Sequence, residues 1–152
     1  MSDISSLENV HKIGLFGDYK NKDQKNLIKI KVIKNINLFQ LVKYKNSKEN
    51  LSNLNIDGIK LSDTLKTSIN SSTRIIWMGP DNWYIYSNKD IGNDLKNFKQ
   101  SDFAVTELSQ SRSIIEIEGD MIYEVLKKGT PLNVNNLKEG DEVIVTGYDL
   151  GM

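Results

Sequence analysis

A chain whose sole histidine is His11 and which has no cysteine has few routes to covalent or metal chemistry. A Ser-His-Asp triad would have to use His11, and a site with two histidine ligands cannot be built within one copy. The alternative for His11 is an ordinary surface or strand-edge residue. Thiolate metal sites, thiol nucleophiles and disulfides are excluded together. Gly14-Leu15-Phe16-Gly17 lacks a third glycine at dinucleotide-binding spacing, and no Gly-Lys-Ser/Thr loop that would cradle a phosphate occurs. Glu116 and Glu118 share one face of a strand pattern, but the alternation makes that face the solvated one. No catalytic constellation emerges from these residues.

Arg112 is one of two arginines in a chain that otherwise uses lysine. A guanidinium is a rigid donor fork suited to carboxylates or buried carbonyls, so it marks either a geometric task at a partner surface or a hydrogen bond closing the link from Ser109 to Ser113. Arg74, the other arginine, reads as capping a strand edge at the start of a hairpin.

The elements that must position such groups centre on the run from Ile75 to Tyr86, which holds both tryptophans, Trp77 and Trp83. Two apolar β-type segments flank Gly79-Pro80-Asp81-Asn82, where Pro80 supplies the φ of the second position of a type I turn. Trp77 and Trp83 are either core anchors beneath a helix layer or an exposed aromatic patch. Strand alternation puts Trp83 and Ile85 on one side and Tyr84 and Tyr86 on the other, so the tyrosines become candidates for a partner surface.

Further strands are expected near residues 10–16, 27–33, 36–45, 102–108, 112–118 and 142–146, with 18–26 a loop. Ile91, Leu95 and Phe98 have helical spacing behind Asp90, and a second helix opens at Asp120 as N-cap, with Met121, Ile122, Val125 and Leu126 on one face. Lys127 and Lys128 suit its negative end, Gly129 suits a left-handed C-terminal position, and Pro131 stops it. A short helix is also expected around Ser47 to Leu54 or near Leu61 and Leu65. Strands interrupted by a few amphipathic helices, with a hairpin in place of regular crossovers, predict an α+β fold of mostly antiparallel sheets.

Together, Trp77-Met78-Gly79-Pro80-Asp81-Asn82-Trp83 and Val105-Thr106-Glu107-Leu108-Ser109-Gln110-Ser111-Arg112 resemble two segments of the gamma subunit of heterotetrameric sarcosine oxidase. Those segments are W-[LM]-G-P-D-x-[WF] and V-x-[DE]-[LV]-S-x-x-R, in the same order and spacing. The close Val125-Leu126-Lys127-Lys128-Gly129, the segment Phe39-Gln40-Leu41-Val42 and the stretch Gly58-Ile59-Lys60-Leu61 extend the likeness to roughly residues 36 to 140. The resemblance implies a fold similar to the folate-dependent aminomethyltransferases. It also implies a structural role beside an alpha subunit, in an assembly that demethylates sarcosine to glycine. FAD, FMN and tetrahydrofolate are then expected on partner subunits and no cofactor in this chain. Members of that family continue with more β structure and a closing helix, whereas this sequence stops at Met152, so an open sheet edge or an uncovered apolar face is expected near that end.

A different class, a stand-alone folate-binding or aminomethyl-transfer protein, would need an acid facing the pterin within an enclosed pocket, and Glu107 and Asp102 are the candidates. A third reading rests on charge. Residues 1 to 66 carry twelve lysines against seven acids, and residues 67 to 152 carry eight basic residues against thirteen acids, for a net charge of zero. The basic half could meet nucleic acid. Yet the lysines of Lys29-Ile30-Lys31-Val32 alternate as on a half-buried strand, and seventeen Asn and eighteen Ile beside a single alanine, Ala104, point to an A/T-rich coding bias that inflates lysine. Length and composition predict one domain over 1–152, divided into sublobes of about 1–66 and 67–152. No apolar window is long enough to span a membrane, and the start Met1-Ser2-Asp3-Ile4-Ser5 is neither basic nor apolar, so a cytoplasmic protein is expected.

Overall fold

Runs of β-branched and aromatic residues that alternate with polar ones form antiparallel strands throughout the computed structural model, which describes residues 14–16, 27–130 and 133–138. Among the described residues the strands are β1 (Gly14–Phe16), β2 (Ile28–Ile33), β3 (Asn37–Lys43), β4 (Asn55–Ile56), β5 (Ile59–Lys60), β6 (Thr67–Ile69), β7 (Thr73–Gly79), β8 (Asn82–Ser87), β9 (Phe103–Glu107) and β10 (Ile114–Glu118). Two short helices, α1 (Gly92–Leu95) and α2 (Ile122–Leu126), complete an α+β fold with 3-10 turns at Leu51–Asn53 and Val134–Asn136. His11, the loop 18–26, the strand expected at 142–146, Pro131 and the open edge expected near the C-terminal end all lie outside the described residues. So does the first part of the strand expected at 10–16.

The chain groups into two compact units, one including residues 34–113 and the other including 27–33 and 114–130. The second draws strands from both sides of the first in sequence, so the grouping crosses the division near residue 66 that the charge halves mark.

In the first unit a five-stranded antiparallel sheet has the order β6-β7-β8-β3-β9. Its inner face carries Ile75, Trp83, Ile85, Leu41 and Phe103, all at most 4% exposed. Ile91 at the cap of α1, Leu95 at its end and Phe98 in the turn that follows, since the helix is only four residues long, close over this face together with Ile56 of the β4–β5 hairpin. The Phe98 and Phe103 rings meet edge to face with centroids 5.2 Å apart. Each such large side chain removed from water contributes about 1.5–3 kcal/mol. Helix α1 starts at Gly92 with Ile91 at its cap, and the Asp90 carboxylate accepts the Gly92 N–H at 2.8 Å, one residue ahead of the cap itself.

The hairpin turn is not type I: Asp81 has φ 55°, whereas the third position of a type I turn lies near −90°. Between Ser47 and Leu54 only the 3-10 turn forms, held by the Asn50 side chain accepting from the Ser52 N–H. No helix forms near Leu61 and Leu65, and Leu65 is 81% exposed with a positive φ. Strands β4, β5 and β6 went unread, at two or three residues each too short to show a period.

The second unit contains the antiparallel sheet β1-β2-β10. Lys29 stands opposite Glu118 and Lys31 opposite Glu116, and both pairs form ion pairs across the exposed face. Glu116 is the leading cause that raises the Lys31 ammonium above its ordinary value. These lysines therefore answer the carboxylates of β10, which accounts for part of the opposite charges of the two halves. Helix α2 departs from expectation. Met121, not Asp120, occupies its cap without a side-chain bond, Met121 and Val125 are each 38% exposed, and Gly129 is not left-handed. The glycine that matters is Gly119, at φ 143°, where a Cβ would lie 2.7 Å from the Leu27 carbonyl oxygen.

Candidate functional site

The β7–β8 hairpin is built by period-two alternation. Trp83, Ile85 and Ser87 are buried while Tyr84 and Tyr86 are half-buried on the opposite face. Trp83 is a core anchor whose indole Nε1–H donates to the Ser62 carbonyl at 2.9 Å, and Trp77 lies partly buried against the same core. The outer face places Tyr84 between Ile76 and Gln40, and Tyr86 between Arg74 and Leu38. Gln40 donates to Asn82 at 3.1 Å across this face.

Arg112 is exposed and donates to the carbonyl of its neighbour Ser111 at 3.0 Å. The residue that ties this segment to the sheet is Ser109. Its hydroxyl accepts the Leu38 N–H at 3.0 Å, while the Leu108 N–H reaches the Leu38 carbonyl at 2.7 Å. The structure thus brings Tyr86 and Ser109 to either side of Leu38, and leaves Arg112 in the link beyond β9.

The two acids considered for a pterin do not converge. Asp102 accepts from the Ser47 hydroxyl at 2.6 Å and the Ser101 hydroxyl at 2.7 Å, and these bonds, Ser47 first, hold its carboxyl below the ordinary range. That is a loop tie between distant segments. Glu107 ends β9 in an exposed position. Among the described residues of this unit, one surface cleft of about 530 Å³ lies between α1 and the β3–β9 strands and another of about 550 Å³ lies beside Trp77, Ser62 and Pro80. Neither Asp102 nor Glu107 lines either of these two clefts.

A polar network went unread in the sequence. Asp57 and Gly58, with φ 50° and 77°, turn the β4–β5 hairpin, and Asp-Gly between two short apolar segments was the available signal. The Asp57 carboxylate accepts from Thr73 at 2.8 Å, Asn70 at 3.0 Å and Lys89 at 3.3 Å. Thr73 in turn meets the Ser87 hydroxyl at 2.9 Å, both residues fully buried. The Thr73 bond leads in holding the Asp57 carboxyl below its ordinary value, followed by Asn70. Because every group has a partner, the network reads as a fastening of the hairpin to the sheet. Among the described residues no group of three or more His, Asp or Glu side chains could hold a metal ion, and no helix is long and apolar enough to cross a membrane.

No protein-family model and no curated relative matches the chain. Among solved structures it is similar in fold to a chain of the heterotetrameric sarcosine oxidase from Corynebacterium sp. U-96, determined in complex with pyrrole 2-carboxylate. The TM-score is 0.62 and the identity 20%, over 72% of this chain and 59% of that one. The chain therefore spans less than two thirds of the neighbour's length.

Proposed function

We propose that the chain is a non-catalytic assembly subunit of a sarcosine oxidase-type complex, packed chiefly against its alpha subunit. The observation that carries this reading is the fold likeness to a chain of such a tetramer, joined to the Trp77–Trp83 hairpin and the Ser109–Arg112 segment that resemble the gamma subunit. The chemistry, oxidative demethylation of sarcosine to glycine, resides on partner subunits carrying FAD and FMN, with tetrahydrofolate accepting the one-carbon unit there. The partner surface comprises Tyr84 and Tyr86 on the outer sheet face, with Arg112 in the link after β9.

Tyrosine supplies a broad apolar contact with a polar tip, and tyrosine and arginine are enriched where partners dock. The location implied is cytoplasmic. The experiment is to purify the chain alone and assay it for flavin absorbance and sarcosine-dependent peroxide. Neither is expected. Peroxide formation by the isolated chain, or micromolar affinity for tetrahydrofolate in a calorimetric titration, would overturn the reading in favour of a stand-alone folate or aminomethyl-transfer protein.

A further inference from the structure

The two edges of the five-stranded sheet are not alike. Strand β6 is three residues long and preceded by Lys66, whereas β9 runs five residues, Phe103-Ala104-Val105-Thr106-Glu107, without lysine or proline. Short strands, lysine and proline are the usual means of blunting an edge. The Tyr44 N–H bonds to the Asp102 carbonyl and the Leu108 N–H to the Leu38 carbonyl, so the even-numbered residues of β9 bond toward β3. Val105 and Glu107 consequently aim their N–H and C=O groups outward. No described strand pairs there.

Beside this edge lies the 530 Å³ cleft, with Phe39, Leu95, Phe98 and Phe103 in its walls and Lys96 and Lys99 at its rim. Val105, 38% exposed, also lines it and shares the face that a strand added to β9 would continue. Lys99 stands at the Phe103 end, where its carbonyl accepts the Phe103 N–H at 2.9 Å, and Glu107 stands at the other end. Lys96 contacts Asn93 at 3.1 Å and Lys99 faces Glu49 at 3.6 Å, both contacts lying at the surface. Counting Lys43, which pairs opposite Phe103, three lysines stand against Glu49 and Asp102 at that end, so the edge is net positive there and negative at Glu107.

We infer that β9 and its cleft take up an extended segment of a partner protein as an added antiparallel strand. That segment places an apolar residue opposite Val105, an acidic residue toward Lys96 and Lys99, and a basic residue toward Glu107. Backbone bonds to Val105 and Glu107 supply affinity, and the charge polarity fixes register and direction. The inference rests on the reading of the chain as an assembly subunit and names the element its partner offers. Its test uses no partner subunit, so it can fail while assembly stands.

The probe is a fluorescein-labelled peptide of alternating valine and threonine with two lysines at its N-terminal end and two aspartates at its C-terminal end. The control has the two charged ends exchanged. Fluorescence polarisation and amide hydrogen exchange of Val105 and Glu107 are followed on the full chain. Binding of the first peptide is expected, with slowed exchange at both amides, and weakening by roughly tenfold in a Lys96→Glu/Lys99→Glu variant, where attraction becomes repulsion. Val105→Pro removes an outward donor without touching the β3 ladder and should abolish the protection. If that variant does not fold, the lysine double variant, which leaves the backbone intact, decides. Equal binding of both peptides, or no protection of Val105 and Glu107, overturns the inference. So does protection that grows with protein concentration in the absence of peptide, which would assign the edge to a second copy of this chain.

Discussion

Trp83 donates its indole N–H to the backbone carbonyl of Ser62 at 2.9 Å, across twenty-one residues of sequence, from a site where the tryptophan is only 4% exposed. One side chain thereby joins the hairpin strand to the loop after β5 and also fills the core beneath the sheet. Trp83→Ala should cost about 3–5 kcal/mol, the range for deleting a buried aromatic. Trp83→Phe keeps most of the apolar contact but leaves the Ser62 carbonyl without its donor, at about 1–3 kcal/mol. Urea unfolding of the two variants checks the order, and a Trp83→Phe variant as unstable as Trp83→Ala would contradict it.

Asp57 gives an acid-limb prediction. Its carboxyl lies below the ordinary 3.8 in the folded chain, chiefly because the Thr73 hydroxyl and then the Asn70 amide donate to the charged form. A depressed folded value means that the contribution is complete above the unfolded value and is lost as pH falls through the folded one. The wild-type melting temperature should therefore drop more steeply below pH 3.8 than that of Asp57→Asn, whose side chain tolerates the same positive φ. Parallel acid limbs in thermal melts at stepped pH would remove Asp57 as the group responsible.

Gly119 tests backbone specificity in the second unit. At φ 143°, with the Leu27 carbonyl oxygen 2.7 Å from any Cβ, alanine meets both strain and a clash with main-chain atoms that cannot swing aside. Gly119→Ala should destabilise by about 1–3 kcal/mol. Gly129→Ala, at a position without a positive φ, carries no such backbone strain and serves as the comparison in the same thermal measurement.

What the sequence made readable was the part with enough residues to show a period. Trp83 and Ile85 alternate with Tyr84 and Tyr86 over a six-residue strand, which separates the two faces of β8, while the choice between core anchor and exposed patch for Trp83 depended on packing from Ile91, Leu95 and Phe98, themselves at helical spacing. Strands β4 and β5 hold two residues each, too few to alternate, and only their Asp57-Gly58 turn carried a signal. Asp102 looked like a candidate acid because its partner, Ser47, lies fifty-five residues away, and nothing local discloses that tie. For α2, a capping aspartate and a C-terminal glycine were present, yet the helix begins after Met121 without using the Asp120 side chain. Propensity marks a helix end less sharply than the tertiary contacts that finally set it.

Substitution of Tyr84 or Tyr86 is expected to separate folding from assembly. Both are half-buried on the face opposite Trp83, so truncation there removes contact area outside the inner core. Tyr84→Ala and Tyr86→Ala should each lower stability by less than Trp83→Ala while weakening recovery of the complex. Thermal unfolding run beside co-purification distinguishes the two. If the tyrosine variants unfold as readily as Trp83→Ala yet assemble normally, the partner surface lies elsewhere.

The most direct test of an assembly role is recovery of the tagged chain from its native host, followed by the absorbance spectrum and subunit composition of what accompanies it. A defined complex is expected, in which flavin absorbance travels with larger partner subunits and sarcosine-dependent peroxide formation travels with the flavin. Recovery of the chain alone, without flavin-bearing polypeptides at any salt concentration, would contradict it.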